Sequence, residues 1–156
     1  MDGSVWIVIV NYRTADLAVE CLHSIAGQIA ELPEPHTVVV DNASGDGSVE
    51  KLIEVIDRQG WHGWASVIPL DRNGGFAFGN NVGIGEALRS ACHVDYVMLL
   101  NPDTIVHGGR FACLLILWTH INVSVLLGTV SKTQKGKLSV RHDLSSAGCA
   151  IHQEQV

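Results

Sequence analysis

Apolar positions along this chain fall into two alternating patterns. Residues 5–10 (Val5-Trp6-Ile7-Val8-Ile9-Val10) are continuously apolar and mostly β-branched, which predicts a strand buried on both faces. Thr14 then stands where a helix cap belongs, before a stretch to about Ala30 in which Leu17, Cys21 and Ile25 stack at i, i+4 spacing. Pro33 and Pro35 prevent its continuation. Residues 37–40 predict a second strand ending at Asp41-Asn42. Ser44-Gly45-Asp46-Gly47-Ser48 reads as a turn and cap for a helix over 49–58, where Leu52, Ile53, Val55 and Ile56 are apolar. A loop holding Trp61-His62-Gly63-Trp64 leads to a third strand over 65–70. The glycine-rich stretch 71–79 opens a helix over about 77–91, and 95–100 is the fourth strand. Strands alternating with helices of roughly 10–15 residues indicate βαβ units, a parallel sheet and right-handed crossovers.

Beyond the fourth strand the pattern changes. Residues 111–130 are mostly apolar and about as long as a membrane span of ~20 residues. Thr119, His120, Asn122 and Ser124 interrupt the run, so it predicts a helix over 109–119 and a strand near 123–128. From Phe111 to Trp118 the helix is apolar on every face, which requires a buried position or a docking partner, either a second copy or a membrane surface. Lys135-Gly136 suggests a turn between short strands over 126–132 and 137–141, and 143–156 show no periodicity. This divides the chain into a main unit over 1–130 and a hairpin with tail over 131–156.

Composition narrows the class. The 156 residues suffice for one domain with a real core, and 47% of them are hydrophobic against 17% charged. Net charge of −6 argues against a nucleic-acid surface, although Lys132, Lys135, Lys137 and Arg141 make the end of the chain locally basic. Cys21, Cys92, Cys113 and Cys149 share no metal-ligand spacing and read as core thiols of a reducing compartment. No basic leader precedes the first apolar run, so a cytoplasmic location is expected, with peripheral contact to the inner face of the membrane through residues 111–118 as a variant. The sequons at Asn42 and Asn122 are read as chance matches.

The chemistry concentrates at strand ends. The first strand ends in Asn11-Tyr12-Arg13, the second in Asp41-Asn42, the third in Asp71-Arg72-Asn73-Gly74-Gly75 and the fourth in Asn101-Pro102-Asp103. In an open parallel sheet these ends share one edge, where ligands bind. Carboxylates and amides there can meet base N–H and ribose hydroxyl groups, while one acid can hold a divalent ion on a diphosphate. Each residue also has a plainer use. Asp41 could cap the turn before Ser44, Asn11 could close its own turn, and Asn73-Gly74-Gly75 could be a turn alone. Asn80 falls in the first turn of its helix, where an amide can face an anion or serve as a cap. Asp103 suits a metal ligand or a helix cap, and His107 is a weak further ligand. Neither a G-x-G-x-x-G fingerprint after the first strand nor a Walker A lysine motif is present.

Four segments together are specific: Val8-Ile9-Val10-Asn11-Tyr12, Val39-Val40-Asp41-Asn42-Ala43-Ser44, Asn73-Gly74-Gly75-Phe76-Ala77-Phe78-Gly79-Asn80-Asn81-Val82-Gly83 and Leu99-Leu100-Asn101-Pro102-Asp103-Thr104. In order and spacing, over about residues 5–110, they resemble family 2 glycosyltransferases, most closely the rhamnosyltransferase-like branch. The resemblance implies an α/β GT-A fold, with a mostly parallel sheet flanked by helices and incomplete at its C-terminal side. It implies a nucleotide-diphosphate sugar donor (UDP- or dTDP-linked), a saccharide or lipid-linked acceptor, and a divalent cation, Mg or Mn. On it, Asp41 would contact the base, and Asn11, Asn73, Gly74 and Asn80 would line the donor pocket. Asn101 and Asp103 would occupy the ends of the family's Asp-x-Asp motif, leaving Asp103 as the main metal ligand. The implied chemistry is inverting transfer, which needs an Asp or Glu base. Beyond Asp103 the acids are Asp143 and Glu154, and neither has the family's acidic context, so no base is assigned. The chain therefore reads as a donor-binding half whose acceptor half is truncated, divergent or supplied elsewhere. The competing readings are a non-catalytic nucleotide-sugar-binding or interaction module and, less favoured for want of an early phosphate loop, a sugar nucleotidyltransferase.

Overall fold

The structure, a computed structural model, describes residues 4–89 and 94–111 together with the backbone of 125–132 and 138–142. Its elements are β1 (Val5–Asn11), α1 (Ala15–Ala26), β2 (Pro35–Asp41), α2 (Ser48–Gln59), β3 (Ala65–Pro69), α3 (Phe76–Arg89), β4 (Tyr96–Leu100), β5 (Val125–Lys132) and β6 (Leu138–His142). They form one sheet in the order β3-β2-β1-β4-β5-β6. Every neighbouring pair is parallel except β5 with β6.

β1 sits at the centre and all seven of its residues are buried, as its unbroken apolar run requires. Val5, Ile7 and Ile9 pack with Val39, Met98 and Leu100 under Ala18, Cys21, Leu22 and Ile25 of α1 and Leu52 and Ile56 of α2. Val8, Val38, Val40, Val97 and Leu99 face the other way and meet Ala87 of α3. Helices thus cover both faces. α3 comes unusually close to the sheet because Gly79 and Gly83 face it: a Cβ on Gly79 would stand 2.7 Å from Val10 Cγ1, and one on Gly83 would stand 2.4 Å from Val8 Cγ1.

Several expectations shift at the margins. α1 ends at Ala26 rather than near Ala30, and a separate 3-10 turn spans Ile29–Glu31. Gly27 halts the helix, and Gln28 N–H closes a tighter bond to Ile25 O at 2.8 Å. Leu17 and Ile53 point outward, 40% and 44% exposed, so Ala15, Ala18, Cys21, Leu22 and Ile25 carry the apolar stripe of α1. α3 begins at Phe76, one residue early. The two short strands expected around Lys135-Gly136 are β5 and β6, and β5 also carries the strand expected near 123–128: residues 125–127 pair with β4, and 128–132 with β6. Of the apolar run from Phe111 to Trp118, only Phe111 lies among the described residues. It is 1% exposed within the α1-side core, which removes it from any docking surface. Among the described residues no helix is long and apolar enough to cross a membrane. Cys21 is a buried free thiol as expected; Cys92, Cys113 and Cys149 lie outside the described residues.

Candidate functional site

The strand order places a topological switch beside β1. From β1 the chain moves outward through β2 to β3, then returns across the opposite face in α3 and inserts β4 on the other side of β1. Loops leaving the carboxyl ends of β1 and β4 therefore diverge and open a crevice, the usual ligand position in such sheets. Asn11, Asp41 and Pro69 lie in register across the ends of β1, β2 and β3, so the polar termini share one edge.

Asn11 is fully buried, and both ends of its amide are engaged. Its Nδ2 donates to Asp41 Oδ1 at 2.7 Å and to Ser44 Oγ at 3.3 Å. Its Oδ1 accepts from Thr14 N at 3.2 Å and Thr14 Oγ1 at 2.9 Å, so Thr14 occupies the cap position without capping α1 by its side chain. Asp41, 2% exposed, also accepts from Ser44 Oγ at 2.6 Å and, on Oδ2, from Ser44 N at 2.9 Å. Asp41 therefore does close the turn before Ser44. A carboxylate has about four lone-pair positions, and three are filled, leaving acceptor capacity on Oδ2.

Asn42 and Ser44 extend the network in ways composition did not single out. Asn42, 3% exposed, donates from Nδ2 to Asn73 Oδ1 at 2.9 Å and accepts Gly74 N–H on Oδ1 at 3.1 Å. Its amide is enclosed, in keeping with that sequon being a chance match. Ser44 Oγ accepts from Arg13 N at 2.9 Å, and Ser44 O accepts from Arg13 Nε at 3.1 Å. Arg13 and Ala43 both hold φ +57, costing roughly 1–2 kcal/mol each for residues bearing a Cβ. Such strain collects at ligand sites. The adjacency of Asn42 and Ser44 to Asp41 was the available signal. Nothing in the residue types of Arg13 or Ala43 marks a left-handed backbone.

The loop after β3 is exposed, and glycine shapes it. Gly75 has φ +86, and a Cβ on Gly74 would fall 2.2 Å from Cδ1 of Phe78. Asn73 Oδ1 also accepts Gly75 N–H at 2.9 Å. Asn80 lies in the second turn of α3 rather than the first, because the helix starts at Phe76. Its own backbone is thus past the free N–H groups of the helix end. Asn80 is 5% exposed; its Nδ2 donates to Phe76 O at 3.0 Å while its buried Oδ1 has no partner. An enclosed, unpaired acceptor is costly unless a ligand or water fills it.

Asn101 and Asp103 follow β4 on the far side of β1. Asn101 is half-buried, and its carbonyl accepts Thr104 N at 3.1 Å and faces Cys21 Sγ at 3.9 Å. Asp103 is exposed. Burial, and then the Asp103 charge, push the Cys21 thiol up to about 12. Ser24 Oγ accepts Val106 N at 3.0 Å and Glu31 Oε1 accepts Gly109 N at 3.1 Å, anchoring this loop to the α1 side. His107 is exposed. Among the described residues no three His, Cys, Asp or Glu side chains gather as a metal cage. One exposed carboxylate fits a hard cation whose remaining ligands are phosphate oxygens and water, and does not fit a structural zinc.

Glycosyl transferase family 2 matches the chain over residues 6–153. No curated protein matches it. Among solved structures, it is similar to the mannosyltransferase PcManGT from Pyrobaculum calidifontis, in complex with GDP-Man and Mn2+, at TM-score 0.60 and 20% identity, covering 72% of this chain and 31% of that one. Residues 1–349 of S. aureus TarS, in complex with UDP-GlcNAc, give TM-score 0.59 and 20% identity over 78% and 32%. The chain thus spans about a third of the length of these structures, covering 31% and 32% of them.

Proposed function

The chain belongs to glycosyl transferase family 2 and has the GT-A fold, and from that premise we propose that it forms the donor-binding part of a transferase using a UDP- or dTDP-linked sugar. The observation that carries this reading is the single hydrogen-bonded constellation at the carboxyl edge, in which Asn11 and Ser44 hold Asp41 while Asn42 holds Asn73 and Gly74. Asp41 keeps an acceptor for a base N–H, and Asn80 Oδ1 awaits a donor. Asn101 and Asp103 stand across the switch crevice, where a diphosphate would lie.

In this reading the residues of the chain bind and orient. Asp41 fixes the base, the Asn73–Gly75 loop supplies close backbone approach, and Asp103 with Asn101 would hold a divalent cation. That cation, Mg or Mn, would supply neutralisation of the charge developing on the leaving diphosphate. The acceptor hydroxyl would attack the anomeric carbon from the opposite face, giving inversion, and a carboxylate base would take its proton. Rhamnose is proposed as the sugar on the likeness of the four motifs to that branch. A role at cell-wall or polysaccharide assembly, on a saccharide or lipid-linked acceptor in the cytoplasm, belongs to the same proposal, as does division into a donor unit over 1–130 and a short hairpin and tail over 131–156.

Calorimetric titration of UDP, dTDP and GDP with and without Mn2+ tests the binding claim. Expected is metal-dependent binding of a uridine or thymidine diphosphate that Asp103→Ala abolishes without unfolding the protein. Absence of binding by every nucleotide overturns the reading. The second reading is binding without transfer. Donor turnover or slow donor hydrolysis by the chain decides against it.

A further inference from the structure

We propose that Asn42 is a positioning residue whose amide holds the exposed Asn73–Gly75 loop in the shape that receives the donor. The inference rests on the donor-site reading and concerns a residue that makes no ligand contact in it. Three observations carry it. First, Asn42 is buried while the loop it grips is exposed from Asp71 to Gly75, so packing does little to hold the loop. Second, both ends of one amide are used across two strand ends: Nδ2 donates to Asn73 Oδ1 at 2.9 Å, and Oδ1 accepts Gly74 N–H at 3.1 Å. Asn42 N–H also donates to Asn11 O at 2.8 Å, tying the clasp to β1. Third, the gripped Asn73 Oδ1 passes the constraint on by accepting Gly75 N–H at 2.9 Å, the residue at φ +86. No other side-chain type of this size donates and accepts in these directions at once. Aspartate would keep the Gly74 bond but oppose the Asn73 oxygen, unless the Asn73 amide turns over and releases Gly75.

Loss of the clasp lets the loop open, and apparent affinity falls in proportion to the closed fraction that remains. Two neutral hydrogen bonds, each worth about fivefold in that equilibrium, make Asn42→Ala weaker in nucleotide binding by at most about 25-fold, and by less the more completely the wild-type loop is closed. Asn42→Asp, nearly isosteric, falls between the two. The measurement is UDP and dTDP affinity with Mn2+ for the wild type and both variants, together with amide hydrogen exchange at Gly74 and Gly75. Weakened binding by folded variants, with faster exchange at both glycines, supports the inference. A merely stabilising Asn42 would lower Tm and leave the affinity unchanged, and that result overturns it. Should Asn42→Ala fail to fold, Asn42→Asp with wild-type affinity overturns it equally. If the wild type binds no nucleotide, the donor reading falls and this inference falls with it.

Discussion

Adding one methyl group to α3 should destabilise the protein at Gly83 and stabilise it at Gly85. In Gly83→Ala the new Cβ would stand 2.4 Å from Val8 Cγ1, 3.1 Å from Val8 Cγ2 and 3.3 Å from Val40 Cγ2. Val8 and Val40 are both 0% exposed, on strands flanked by a neighbour on each side, so neither can retreat. Relief requires α3 to lift from the sheet, which loosens its packing on Val38, Val97 and Leu99 as well. Overpacking of this kind costs up to about 3 kcal/mol, and the helix preference of alanine over glycine returns about 1 kcal/mol. The net loss is about 2 kcal/mol, or roughly 4–8 °C in Tm for a domain of this size. In Gly85→Ala the nearest atom is Arg89 Nη1 at 3.2 Å, the far end of an exposed side chain paired with Glu86. That arm can swing, so the helix preference stands alone and Tm rises by a few degrees. Scanning calorimetry on the two variants and the wild type reads both shifts. A Gly83→Ala protein as stable as the wild type, or equal shifts from the two substitutions, would refute the close-approach argument.

Three further outcomes follow from the same geometry. Asp41→Asn puts an N–H group among the donors from Asn11 and Ser44; urea denaturation should show a loss of about 2–3 kcal/mol at unchanged m. Cys21 is protonated in the folded protein up to about 12, against an ordinary value of 9.0. Its stabilising contribution is therefore complete below the unfolded pKa and declines as pH rises from about 9 toward 12, by at most about 1.4 kcal/mol per pH unit. Urea midpoints measured in chelator should show that decline, and Cys21→Ala should flatten it. Gly75→Ala forces a Cβ onto a backbone at φ +86. It should cost roughly 1–2 kcal/mol and weaken UDP binding more than the exposed substitution Ile53→Ala on α2, both read by thermal shift and titration.

The α/β architecture was legible because burial on both faces demands unbroken apolar runs, and Val5 to Val10 is such a run. Asn11, Asp41, Asn73, Asn101 and Asp103 were legible as strand-end polar residues for the same reason: a parallel sheet delivers its carboxyl ends to one edge. What each side chain does there was not legible. Asn11 was a pocket residue or a turn residue by sequence, and its amide closes its own turn through Thr14 and holds Asp41, which lies one strand away. Asn42 was just the neighbour of Asp41, since its partners Asn73 and Gly74 stand 31 and 32 positions along the chain. The helix face of α1 was misplaced at Leu17 because spacing alone does not say which of two adjacent stripes meets the sheet. Local patterns are set by the period of each element and can be read from residue order. Clasps between strand ends depend on register and loop closure, which exist once the sheet has assembled.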